Sequence, residues 1–275
     1  MMRPVLAFAA AALSLAAHGA DPVAFVADLK GNATIEGDGK VNFLAELPAG
    51  TRLLLGTGAS VAVTYASTGT EFTAHGPGEF FVGPADVKAE KGAAPSKRVV
   101  MSLPNAGVIA RVSQTATASL RMRSIVPGAA KAGLQFPVDT RVTTLQPVLR
   151  WQEESSRGGG EVTLTDASGK EIWKGAAEPG SALRAVKLSP ATRYRWTVMT
   201  PKGLLGEAQF ETAAADAVAK AAKSRAAAKS FSDRVLHALL LQDLGATQEA
   251  REAWGALARE RADIPELAGL ARQGS

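Results

Sequence analysis

A mainly β protein with a C-terminal α-helical hairpin is predicted by three changes of texture along the 275 residues. Short apolar runs broken by glycine and proline turns extend from Pro22 to about Leu134. A second β-type pattern, rich in aromatic residues, runs from Arg141 to Thr212. At Ala213 both give way to alanine-rich and then amphipathic helical sequence. Strand and helix periods differ, so such shifts mark changes of architecture along a chain.

Ahead of the first β region, Met1, Met2 and Arg3 make a short cationic start. Val5 to Ala17 is an uncharged apolar run of thirteen residues, followed by the small residues around His18. This is the three-part layout of a secretory signal peptide over residues 1–20, cut after Gly19 or Ala20. A span of a ~30 Å hydrocarbon core takes roughly 20 apolar residues, so the run is too short for an anchor. No other stretch is apolar enough to cross a bilayer, and no stable span is expected once the signal is removed. The implied location is outside the cytoplasm, periplasmic or secreted. The chain has no cysteine. That excludes a lipid-modified cysteine, a disulfide framework, thiolate metal sites and a cysteine nucleophile.

Residues 21–126 form the first predicted β domain. Val61, Val63 and Tyr65 alternate with smaller or polar neighbours, and turns are marked at Gly37-Asp38-Gly39, Gly50, Gly69 and Gly76-Pro77-Gly78. The clearest alternation runs from Val108 to Arg123, where seven of eight even positions are apolar, the period of a strand with one buried face. Charge is uneven. Residues 21–90 carry nine acids and four bases, whereas residues 91–138 carry seven bases and no acid. Such a block either folds against the acidic segment or offers a surface to an anionic polymer. Export and the lack of interleaved aromatics argue against nucleic acid.

Residues 127–140, with Pro127 and Pro137, read as a linker. The second β domain, 141–212, opens at Pro147-x-Leu149-x-Trp151 and turns at Asp166-Ala-Ser-Gly169. It continues through Leu188-x-Pro190 and Tyr194-x-Trp196-x-Val198 to Phe210. Short strands at this spacing suggest a sandwich. In the α-helical segment 213–275, Ala213 to Ser230 is a strong helix former. Val235, Leu236, Leu239 and Leu240 then share one helical face, and Ala250, Trp254, Leu257 and Ala258 share the next. Gly245 and Pro265 punctuate these two helices.

These residues resemble known families. The run Val26-Ala-Asp-Leu-Lys-Gly31-Asn-Ala-Thr-Ile35, followed by Leu47-Pro-Ala-Gly50-Thr-Arg-Leu53-Leu-Leu-Gly56-Thr-Gly58-Ala-Ser-Val61-Ala-Val63, is similar to the FecR domain of bacterial envelope proteins. Leu188-x-Pro190-x-x-x-Tyr194-x-Trp196, with Trp151, resembles a fibronectin type III-like β-sandwich and its tyrosine corner. Ala238, Leu240, Gly245, Glu249-Ala250, Trp254, Leu257 and Pro265 resemble a single tetratricopeptide-like hairpin. A lone unit of that kind rarely buries its own face and is expected to pack on the sandwich, the alanine-rich helix or a second chain. The FecR resemblance implies an extracytoplasmic module. The cytoplasmic segment and membrane span of family members that signal inward have no counterpart in the three residues ahead of the apolar run.

A screen for chemistry finds little. His18 leaves with the signal, His75 lies in a turn, and His237 lies far away on a helix, so no closely spaced ligand pair exists for zinc. Gly56-Thr-Gly58 and Gly158-Gly159-Gly160 lack the remaining residues of nucleotide or phosphate loops. Glu153 and Glu154 are adjacent and would point to opposite faces of a strand. No catalytic residue, metal ligand or cofactor is expected. The expected role is a non-enzymatic envelope protein that binds or scaffolds, its partner an envelope protein or cell-wall polymer. The candidate contacts are Arg111, Arg121 and Arg123, on one side of the Val108–Arg123 run. The alternative is a periplasmic sensor of FecR type that works through a separate membrane signalling protein in metal-chelate uptake.

Overall fold

The computed structural model describes residues 21–100, Val112, 133–152, 160–178 and 186–272. It is mainly β, with several sheets and a C-terminal helical region.

Two five-stranded antiparallel sheets form the first module. One has the order β10(Ser96–Val99)-β7(Thr70–His75)-β6(Ser60–Tyr65)-β1(Pro22–Lys30)-β4(Glu46–Pro48). The other has the order β3(Gly39–Lys40)-β2(Ala33–Ile35)-β5(Arg52–Leu55)-β8(Gly78–Val82)-β9(Val87–Lys91). Val26, Val63 and Tyr65 from the first sheet and Leu53, Phe80 and Val82 from the second share one core. The alternation at Val61, Val63 and Tyr65 aims those side chains into it. Two glycines of the motif region are sterically required. Gly31 has φ +71°, and a Cβ there would sit 3.0 Å from the Ala59 Cα. A Cβ at Gly76 would meet the Gly56 carbonyl oxygen at 2.1 Å.

Strand β1 breaks the simple alternation. Val-Ala-Phe-Val-Ala over residues 23–27 is nearly all apolar because both faces are covered. Ala24 and Val26 enter the sandwich core, while Phe25 and Ala27 enter a separate core built by the C-terminal helices.

The second module pairs a two-stranded sheet, β11(Leu134–Phe136) with β13(Arg150–Trp151), and a five-stranded sheet. The latter has the order β12(Thr140–Val142)-β17(Gly203–Thr212)-β16(Arg193–Thr200)-β14(Gly160–Asp166)-β15(Glu171–Ala177), with β12 parallel to β17. Tyr194, Trp196 and Val198 point into a core with Trp151, Leu164 and Phe210. Arg193 and Arg195 face out. The Tyr194 hydroxyl accepts from the Ser189 amide at 2.9 Å, and Trp196 Nε1 donates to the Pro137 carbonyl at 2.8 Å. Residues 134–140, read from the sequence as linker, already belong to this module: Leu134 and Phe136 are buried strand residues in its core. Proline and glycine signals marked a break in the chain there, and an apolar pair two residues apart was too short a pattern to show a strand.

Helices α1(Ala215–Ala227), α2(Phe231–Asp243), α3(Thr247–Glu260) and α4(Pro265–Arg272) complete the described chain. A capping box starts α2: the Ser230 side chain accepts from the Asp233 amide, and the Asp233 carboxylate accepts from the Ser230 amide. Gly245, at φ +73°, allows the turn into α3. Pro265, read as a stop, also opens α4, where its missing N–H costs nothing. The expected hairpin therefore has a further helix on each side.

The Val108–Arg123 run, including Arg111, Arg121 and Arg123, lies outside the described residues except for Val112. Val112 is helical and is buried in the helical core. Val108, Val112, Ala116 and Leu120 recur every four residues, so the even-position pattern that suggested a strand also contains a helical stripe.

Candidate functional site

The helical bundle is joined to both β modules, and its two joints hold the main groups of buried or half-buried polar side chains. At the first joint, the loop before β4 pushes Phe43 and Leu44 among Phe231, Leu236, Leu239, Trp254 and Leu257. Phe43 meets the Phe231 and Trp254 rings edge-on, at centroid distances of 6.3 and 6.5 Å. Leu44 is fully buried with φ +59°, a left-handed conformation costing a leucine roughly 1 kcal/mol that the surrounding packing must offset. The apolar face of the α2–α3 hairpin is thus covered by its own chain.

Two arginines flank this apolar contact. Arg98, on edge strand β10, donates through Nε to Glu71 at 2.7 Å and through Nη1 to Asp233 at 2.7 Å. Its Nη2 reaches the hydroxyls of Ser230 and Ser232, at 3.1 and 2.9 Å. Glu71 is only 2% exposed and also accepts from Thr64 and Ser232. Burial works against the Arg98 charge, but its bonds to Glu71 and Asp233 outweigh that and hold its pKa above the ordinary value. Burial likewise opposes ionisation of Asp233, which the Ser230 amide and Arg98 nevertheless hold below the usual carboxylate range. Arg261, just past α3, donates to Asp263 and Asp28, and its Nη2 donates to the Leu29 carbonyl. Its guanidinium lies 5.0 Å from the centroid of the Phe231 ring.

The second joint is carried by the first turn of α3. The Thr143 amide and hydroxyl both donate to Glu249, at 3.1 and 2.5 Å. Gln248 accepts from the Val138 amide and donates to the Gln135 carbonyl. Burial pushes the Glu249 carboxyl up, against the Thr143 hydrogen bonds. Beside this joint lies a cleft of about 390 Å³, lined by Arg141, Arg193, Glu211 and Thr247.

The residues singled out from the sequence fall apart in space. His75 is exposed at the end of β7. His237 is packed between α1 and α2, its Nδ1 3.1 Å from the Ser224 hydroxyl. That contact brings together a serine and an imidazole, but Ser224 is 5% exposed within helix packing. Among the described residues no carboxylate hydrogen-bonds His237, as a nucleophile pair would require. No group of three His, Asp or Glu side chains among the described residues could hold a metal ion. Glu153, Glu154, Gly158 and Gly159 lie outside the described residues. Within the basic block, Lys91 pairs with Glu79 and Arg98 with Glu71, both acids of the preceding segment. Lys97 sits 5.7 Å from the centroid of the Phe72 ring.

The chain matches no family model and no curated protein. Geometry alone therefore carries the functional reading. The polar anchors Arg98, Glu71, Arg261 and Glu249 were missed in the sequence, where Arg98 was only one member of a charge block. A glutamate within the alternating run Thr70-Glu71-Phe72-Thr73-Ala74 was the one available signal.

Proposed function

We propose that the protein is an exported, non-enzymatic scaffold of the bacterial envelope, whose first module is a FecR-like domain binding an envelope protein or cell-wall polymer. The observation that carries this reading is the bundle's double attachment. It grips the first module through Phe43, Leu44, Arg98 and Arg261, and the second through Gln248 and Glu249. Helices that use their apolar face internally serve to fix the two sandwich-like modules relative to each other. A fixed frame presents separate surfaces at a set spacing, which lowers the ordering cost of engaging an extended partner. The contact row proposed for that partner is Arg111, Arg121 and Arg123.

The test is affinity capture from envelope extract with the secreted chain and with the R111E/R121E/R123E variant. The scaffold reading expects one or a few envelope components to be retained by the first and lost by the second. Identical capture by both removes the arginine row from the proposal. A captured sigma-factor regulator or chelate transporter would move the reading to the sensor alternative.

A further inference from the structure

Helix α1 is the only covalent path from β17 to α2, yet very little holds it down. Of its thirteen residues only Ala221 and Ser224 are buried, whereas α2 buries eight. Small side chains give little apolar burial, roughly 25 cal/mol per Å². The polar lock on this thin contact is the pairing of Ser224 with His237. Arg225 follows directly on α1.

We propose that α1 is a strap that undocks from α2 in mild acid, while both joints of the bundle stay closed. Protonation of His237 places a second cation beside Arg225 in a half-buried contact, with no carboxylate among the described residues hydrogen-bonded to it. The surrounding charges are already engaged. Asp233 and Arg234, one turn earlier on α2, are taken by Arg98 and Glu260. From α3, Glu249 turns to Thr143, and β1 meets the bundle with Phe25 and Ala27.

The direction of each titration agrees with this selectivity. Burial, aided by Arg225, lowers His237 from 6.5 to about 4. A base depressed in the docked state contributes its full stabilisation above pH 6.5 and loses it as pH falls toward 4. Glu249 shifts the opposite way, so acid favours the closed second joint. Asp233, bonded by the Ser230 amide and Arg98, and Asp263, bonded by Arg261, are held below the usual carboxylate range and stay charged through the same window.

Hydrogen exchange of the native protein, corrected for the intrinsic pH dependence of amide exchange, reads the strap directly. Protection of the α1 amides should fall roughly 30-fold between pH 7.5 and pH 5, the linkage for a base moved from 6.5 to about 4, with β6 and α3 unchanged. His237→Gln keeps a group that can reach Ser224 and should abolish the fall. In the unsubstituted chain, the His237 ring resonances should titrate with a midpoint depressed below 6.5, between the undocked value and the docked value of about 4. A pH-independent α1, a fall that persists in His237→Gln, simultaneous loss of protection in α3, or a His237 midpoint near 6.5 would each overturn the proposal.

Discussion

Arg98 shows how much one side chain can organise. Its guanidinium satisfies Glu71, Asp233 and two serines at once, which a lysine ammonium, a single point charge, cannot do. Arg98→Ala leaves Glu71 buried with no cation, and such breaks cost more than the pair itself contributes. Because Arg98 is itself 38% exposed, we expect a loss of about 2 kcal/mol in chemical denaturation, below the range for fully buried pairs. Arg98→Lys should recover only part of it. Arg52, whose partners Glu36 and Glu90 lie on the open surface, is the comparison: Arg52→Ala should change stability by no more than about 0.5 kcal/mol. Equal losses at the two positions would remove Arg98 from its organising role. From the sequence, these two arginines looked alike. What separates them is the burial of Glu71, which only the fold creates.

Among the elements, β1 and its partner loop matter most, because their residues divide between two cores. Phe43→Ala removes a ring lodged against Phe231 and Trp254, and should cost about 3 kcal/mol. The loss should reach the first sandwich as well as the helices, seen as coincident transitions by far-ultraviolet circular dichroism and tryptophan fluorescence. Separate transitions would show two independent cores. The legibility of these elements follows from pattern length. The strands around Val61–Tyr65 and Tyr194–Val198 were readable because one face is buried and the other is not. Helices α2 and α3 were readable because their apolar stripes recur over several turns. Strands β11 and β12 were not, being three residues each amid proline and glycine. Nor was the second buried face of β1, because a continuous apolar run does not say what covers it.

At the scale of the whole molecule, the sequence suggested modules in series, with a hairpin that needed some surface to pack on. The structure closes the chain on itself: residues 231–270 complete the first module's second core, more than a hundred residues downstream of it. Such long-range closure cannot be seen in local periodicity, since Phe43 and Leu44 look like any loop apolar pair until Trp254 is placed beside them. The candidate contacts Arg111, Arg121 and Arg123 lie outside the described residues, while Lys91, Lys97 and Arg98 of the same charge block are engaged within the fold. The central claim is that the helices hold both β modules in one frame. The absence of native cysteine allows a direct measurement, with spin labels on Lys40→Cys in β3 and Lys170→Cys in the β14–β15 turn, both exposed. Pulsed dipolar spectroscopy should return a single narrow distance distribution between the two labels, whereas a broad or multi-peaked distribution would show modules that move independently and contradict the account.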